Sequence, residues 1–167
     1  GGGSRRFFAT GGRTEGPGAQ LAVRAERGPF RVGGSYSWSD FEFVEFLDTD
    51  AISYAGKRIP GVPEHQGQAS LTWVGPRVSV TAEGIAASRV PVDDPNRAFA
   101  AGYEVMNLPV ARDLVIAGTR VLPVIGVQNL FDRRYVGSVS VNAAGSRFFE
   151  PAPGQTWFAG ASVEVGR

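Results

Sequence analysis

The chain has 167 residues, the size of one ordinary domain, and its 17 Lys and Arg against 16 Asp and Glu leave a net charge of +1, without the basic excess that nucleic-acid binding demands. Hydrophobic residues at 43% with charged residues at 20% exclude a disordered chain, and the absence of Cys removes disulfides, thiol catalysis and Cys-based zinc sites together. The 23 Gly and 11 Pro speak against long helices, and the longest uncharged stretch, thirteen residues at 151–163, is too short for the ~20 of a membrane helix, whereas a membrane strand needs only ~10 with every second one apolar.

In chain order, a first strand is predicted near 6–25. Ala19, Leu21, Val23 and Ala25 alternate with Gln20, Ala22 and Arg24, the period of two that puts neighbours on opposite faces. Residues 26–29 form a turn. A long strand follows at 30–46, with Phe30, Val32, Gly34, Tyr36 and Trp38 on one parity and Arg31, Gly33, Ser35, Ser37 and Ser39 on the other. At ~3.3 Å per residue it extends roughly 55 Å, well beyond a ~25 Å apolar membrane band. The third strand, 66–73, sets Ala69, Leu71 and Trp73 against Gln66, Gln68, Ser70 and Thr72. After the turn at 74–77, the fourth, 78–87, sets Val78, Val80 and Ala82 against Ser79, Thr81 and Glu83. Strands at 102–114 and 120–139 follow from β-branched content and flanking turns, with apolar residues on both parities and faces unassigned. The last, 155–165, alternates Trp157, Ala159, Ala161, Val163 and Val165 with Thr156, Phe158, Gly160, Ser162 and Glu164.

Connections alternate between short turns (26–29, 74–77, 116–119) and long loops rich in Gly, Pro and Asp (47–65, 88–101, 140–154). Short turns at one end and long loops at the other is the construction of outer-membrane barrels. Bacterial barrels have even strand numbers, so seven strands imply either a missed strand or part of a larger barrel.

The segment Val127-Gln128-Asn129-Leu130-Phe131-Asp132-Arg133-Arg134-Tyr135 resembles the Asn-Leu-Phe-Asp-(basic)-x-Tyr segment near the C-terminus of TonB-dependent outer-membrane receptors. Three further segments are similar in order and spacing. Residues 56–65 (GKRIPGVPEH) resemble the family's loop-to-strand entry. Residues 11–20 resemble its Gly…Gly-x-Glu strand opening, with Gln20 in place of Glu. Residues 147–156 (RFFEPAPGQT) resemble the entry to its last strand, with Gln155 where Arg is common. The resemblance implies a 22-stranded transmembrane barrel, of which residues 1–167 are expected to be the C-terminal segment. The fold expected for the chain by itself is all-β, an antiparallel meander of about seven strands forming an open curved sheet. No plug-like segment and no box for the energy-transducing partner is recognised. Val163 and Val165 stand where the family's terminal assembly signal carries aromatics.

The implied function is active uptake, across the outer membrane of a Gram-negative bacterium, of a scarce ligand such as an iron–siderophore complex or cobalamin, energised by the TonB complex. The implied partners are outer-membrane lipid, the receptor's own N-terminal strands and plug, TonB through that plug, and the barrel-assembly machinery. A small self-contained outer-membrane barrel with a structural or adhesive role is the alternative. No cofactor, resident metal, nucleic-acid partner or enzymatic activity is expected. His65 is the single histidine and reads as a surface residue. Asp93-Asp94 is too few carboxylates for Ca²⁺ and reads as a solvated loop tip.

Asn129, Leu130, Phe131, Asp132 and Tyr135 read as a structural segment, because Asn and Asp bond local backbone. Tyr36, Trp38, Trp73 and Trp157 read as membrane-interface aromatics. Loop residues Tyr54, Arg58, Arg89, Arg97 and Arg147, with Lys57 and Phe148, are the ligand-binding candidates, since iron chelates are often anionic and rich in aromatic groups. The polar parity (Gln66, Gln68, Thr72, Thr81, Glu83, Arg24, Arg31) is expected to face a lumen or plug.

Overall fold

The computed structural model describes residues 12–47 and 52–164. The expected beginning of the first strand at 6–11 and the residues Val165, Gly166 and Arg167 lie outside the described residues. In chain order the strands are β1 (Arg13–Glu15), β2 (Gly18–Arg27), β3 (Phe30–Ser39), β4 (Glu42–Glu45), β5 (His65–Val74), β6 (Val78–Ala87) and β7 (Val90–Pro91). They continue with β8 (Phe99–Ala100), β9 (Tyr103–Arg112), β10 (Leu114–Ile116), β11 (Thr119–Gln128), β12 (Val136–Val139), β13 (Phe149–Pro151) and β14 (Thr156–Glu164). The one helical element among the described residues is a single 3₁₀ turn, Ala144–Ser146.

The main sheet is an antiparallel meander in which each long strand pairs with the next in sequence: β2, β3, β5, β6, β9, β11, β14. β10 continues β9 along the same edge of β11, with the register of Val124↔Ala111 carried through to Leu114↔Val121. The ladder lapses between them opposite Pro123, which has no N–H to give. β2 and β14 lie at opposite ends of the sheet and do not pair, so the sheet is open.

Two expected strands are interrupted. The 30–46 strand breaks at Asp40-Phe41, between β3 and β4. Opposite the break stand Gly16 and Pro17; Pro17 lacks a ladder donor but its carbonyl accepts from the Asp40 N–H at 3.0 Å. Beyond it the hairpin resumes in the same register, Glu15↔Glu42 after Gly18↔Ser39. The outer part is thus a two-stranded ribbon projecting past the sheet. The 120–139 strand ends at Gln128, because Asn129 (φ 52°) and Asp132 (φ 50°) adopt left-handed backbone that no strand continues through. Its remainder is β12, paired with β13 in the last long loop.

The turns are as tight as predicted. Arg27↔Phe30 closes β2–β3 around Gly28-Pro29. β10–β11 turns on Ala117 (φ 50°) and Gly118 (φ 82°), the two positive values of a type I′ hairpin. Glycine takes that conformation freely, whereas Ala117 carries a Cβ into it, at a cost of roughly 1 kcal/mol. Ala117→Gly is therefore expected to raise the unfolding free energy by about 1 kcal/mol, read from denaturant midpoints in detergent.

The sheet closes over no interior. Among the described residues the buried hydrophobic set is Val92, Ala100, Val105 and Val127, most of it at the long-loop end, while Leu21, Leu71 and Trp157 are 62%, 48% and 69% exposed. A soluble sandwich would cover that face with a second sheet.

Candidate functional site

All the long connections (40–64, 88–102, 129–155) leave the same end of the meander, and all the tight turns lie at the other. The sheet thus offers three surfaces: two faces and a loop end.

The ladder assigns every long strand's parity. Leu21 pairs Tyr36, Val32 pairs Leu71, Leu71 pairs Ala82 and Trp73 pairs Val80. Val80 pairs Val110, which pairs Ile125, and Leu108 pairs Val127, which pairs Trp157. Paired residues point the same way, so Leu21, Val23, Val32, Tyr36, Leu71, Trp73, Val78, Val80 and Trp157 share one face. The unassigned strands also resolve: Leu108, Val110, Ile125 and Val127 join the apolar face. The opposite face carries Gln20, Arg24, Arg31, Gln66, Gln68, Thr72, Thr81 and Glu83, with a Thr72–Thr81 hydroxyl bond of 2.9 Å. It is not purely polar, since Ile85, Val105 and Phe158 belong to it.

Aromatics mark two levels on the apolar face. Trp38, Tyr36 and Trp157 stand toward the loop end; Phe30 and Trp73 stand at the turn end. Trp38 to Phe30 is about 27 Å along the strand, or about 20 Å of height at a tilt of ~40°. His65 stands opposite Trp38 in the ladder, its Nδ1 2.8 Å from the Tyr36 hydroxyl and its Nε2 3.6 Å from Glu64. Lone-histidine reasoning from sequence missed this contact; the shared parity of Tyr36 and the strand boundary was the available signal.

At the loop end, the β7–β8 ribbon is held between the other two loops. Val92 is fully buried. The Gly61 N–H donates to the Pro91 carbonyl at 2.8 Å, and the Asn142 N–H to the Val92 carbonyl at 2.9 Å. Asn96 clamps the Arg58 backbone from both sides, accepting its N–H at 2.8 Å and donating to its carbonyl at 2.9 Å. Asn142 holds Asp94 by one backbone and one side-chain bond, its Oδ1 accepting from the Asp94 N–H at 3.0 Å and its Nδ2 donating to the Asp94 carboxylate at 2.9 Å. Asp93 accepts from the Arg97 and Ala98 N–H groups at 2.8 and 3.1 Å. The acidic pair read as a solvated tip is thus a turn-former beside an inter-loop fastener.

The ligand-binding candidates are spread over this assembly. Tyr54 stacks on Phe46 (5.8 Å), which stacks on Phe43 (4.8 Å). The half-buried Arg58 side chain reaches Glu64 at 2.8 Å and the Ser39 carbonyl at 3.3 Å. Arg89 lies 5.0 Å over the Phe99 ring. Arg97 and Arg147 are exposed, and Phe148 meets Phe149 edge-on at 6.0 Å. The structure brings Arg58 and Asn96, the neighbour of Arg97, into one contact, while Arg147 belongs to the separate last loop.

The 129–135 segment ties three strands together. Asn129, 4% exposed, accepts from the Arg133 N–H (2.8 Å), donates to the Arg133 carbonyl (2.8 Å) and to the Pro153 carbonyl (3.4 Å), and gives its own N–H to Asn107 (3.0 Å). The Leu130 N–H bonds Met106 of β9, and the Leu130 carbonyl accepts from Gln155 beside β14. Asp132 Oδ1 accepts from the Gln155 N–H at 2.8 Å. A Cβ at Gly154 would lie 2.6 Å from that same oxygen, so only glycine allows this approach. Tyr135 packs against Tyr103 at 4.6 Å, and Phe131 is exposed.

No protein-family model matches the chain. Among solved structures it is similar to the siderophore receptor PiuA from Acinetobacter baumannii (TM-score 0.75, 20% identity, 91% of this chain and 22% of that one). It is similar also to the unliganded ferric citrate transporter FecA (0.79, 18%, 92% and 25%) and to the ferric yersiniabactin uptake receptor FyuA from Yersinia pestis (0.73, 20%, 90% and 23%). The chain has the fold of a barrel segment of a TonB-dependent receptor. It spans about a quarter of the length of these structures. Each of these structures is that of a receptor or a transporter.

Proposed function

We propose that the chain is the C-terminal part of the barrel of a TonB-dependent receptor in the outer membrane of a Gram-negative bacterium, importing a scarce ligand such as a ferric siderophore or cobalamin. The observation that carries this reading is a seven-strand meander with one exposed apolar face bounded by two aromatic levels, all its long loops at one end, in the fold of iron-chelate receptors. The apolar face then meets lipid, with Tyr36, Trp38, Trp73 and Trp157 at the two interfaces, and the Gln/Thr/Arg face lines the lumen and meets the plug. Of the ligand-binding candidates on these loops, the exposed Arg89, Arg97 and Arg147 offer cations that suit an anionic chelate and Tyr54 adds an aromatic ring, whereas the half-buried Arg58, paired with Glu64, serves to hold its loop. The Asn129–Tyr135 segment holds β11, β9 and β14 in place beneath those loops. TonB acts through a plug contributed by the rest of the receptor. A small barrel complete in itself would need β2 bonded to β14, and these two strands stand at opposite edges.

The test is uptake of radiolabelled iron chelates by cells whose only such receptor contains this segment. Import is expected to stop when the TonB complex is removed, while surface binding persists. Import that is indifferent to TonB would refute the reading.

The two faces give a sharper expectation. Leu71→Arg places a charge toward lipid and is expected to cost the full receptor about 2 kcal/mol of stability, falling with distance from the bilayer centre. Gln68→Arg, on the opposite face of the same strand, is expected to stay within ~0.5 kcal/mol. Urea unfolding in lipid vesicles compares them; equal costs would argue against the assignment of faces.

A further inference from the structure

The apolar face carries a hollow between its aromatic levels. On β5 and β6 the paired residues there are small, Gly67 with Ala86 and Ala69 with Gly84. Larger side chains surround them, among them Val32, Leu71, Met106 and Phe131, and leave a cavity of about 840 Å³ that also reaches Glu104 and Arg133. A second cavity of about 640 Å³ adjoins it at the loop end, sharing Gly67, Ala86, Glu104 and Arg133 and adding Tyr36, His65 and Arg134. From Leu71 to Gly67 the hollow runs about 13 Å along the strand toward those arginines.

We propose that this hollow seats an acyl chain of one phosphorylated lipid of the outer leaflet, its phosphate held by Arg133 and Arg134. The inference rests on the reading above, in which this face meets lipid and the loop end faces outward. An apolar surface floored by Gly and Ala loses dispersion contacts unless something fills it, and on this face an acyl chain is the available filler. The groove leads to a polar end, as a lipid requires and a purely apolar partner does not. Arg133 and Arg134 against Glu104 leave that end with a net positive charge. Guanidinium groups bind phosphate bidentately with charge-assisted hydrogen bonds, and the neighbouring Tyr36–His65 pair supplies further polar groups at headgroup level. The hollow lies on the face opposite the polar one, so the imported ligand is not its occupant.

Two variants separate the halves of the site. Arg133→Ala with Arg134→Ala removes the cations and leaves the backbone bonds of Arg133 to Asn129 intact. Gly84→Leu fills the floor, where an added Cβ meets nothing within 4 Å, so the sheet need not move. The full receptor, in detergent, is mixed with bisphosphorylated lipid A, its monophosphoryl form or phosphatidylethanolamine, and retained lipid is counted by native mass spectrometry. Gel mobility before and after heating confirms that each variant is folded. The expected result is preferential retention of bisphosphorylated lipid A, lowered about tenfold in the double arginine variant. Gly84→Leu is expected to lower it severalfold with the arginines in place. Equal retention of all three lipids, or retention unchanged in both variants, overturns the proposal, as does a hollow occupied by a second receptor copy seen as a dimer mass. A receptor that never reaches the outer membrane instead overturns the lipid-facing reading beneath it.

Discussion

The chain, refolded alone in the presence of lipid vesicles, is expected not to span the bilayer as a monomer and not to bind an iron chelate saturably. Among the described residues, β2 and β14 each leave one side of a nine- or ten-residue strand without a partner. About half of the N–H and C=O groups of each point away from the sheet. In hydrocarbon every such group left unpaired costs several kcal/mol, so the two edges together amount to an order of tens of kcal/mol, more than the net stability of any domain. In water the same edges template association between copies. Protease protection by vesicles and ultracentrifugation are the measurements: full accessibility with concentration-dependent oligomers is the expected pattern. On the reading proposed above, addition of the remaining strands of a receptor barrel, which would pair both edges, is expected to restore insertion. A protected monomer formed by the chain alone would show that its edges pair in a way the open sheet does not.

Asn129→Ala is expected to be strongly destabilising, by about 3–5 kcal/mol within a closed barrel. The side chain is buried and makes three hydrogen bonds to the Arg133 and Pro153 backbone. Its removal leaves buried backbone groups unsatisfied at ~1–3 kcal/mol each. Alanine is also poorly suited to the left-handed conformation that Asn129 holds, φ 52°. Asn129→Gly keeps the backbone free but still loses the bonds, and is expected to recover only about 1 kcal/mol of the loss. The difference between the two variants, read from urea midpoints in vesicles, separates conformation from bonding. If both lie within 0.5 kcal/mol of the parent, the segment is not the fastener its geometry describes.

The alternation of residues carried most of the architecture. In β5 and β6 it located both ends to within a residue, because every second side chain is apolar and the turns are short. It said least where it was weakest: 102–114 and 120–139 have apolar residues on both parities, since the face opposite the lipid-type surface also carries Val105, Val124 and Phe158. Register with β6 and β14 was needed to sort them. The break after Gln128 was missed because β-branched content reads through to 139, although Asn129 turns the chain on the Arg133 backbone only four residues on; what lay out of sequence range is the bond from the Gln155 N–H to Asp132, 23 residues apart, that fixes the turn against β14. The Asp93-Asp94 pair was misread for a related reason: its partner Asn142 is 48 residues from Asp94.

The sequence by itself determined the strand class, the number of long strands, the short-turn and long-loop ends and the apolar face of the five cleanly alternating strands, all of which depend on neighbours one to four residues apart. The tertiary structure alone decided which faces the two ambiguous strands present, how three loops lock into one body around Val92, how His65 meets Tyr36, and that small residues on β5 and β6 meet to form one hollow. Those features join residues dozens of positions apart, and a pattern of period two holds no information about which partners the ladder will bring alongside.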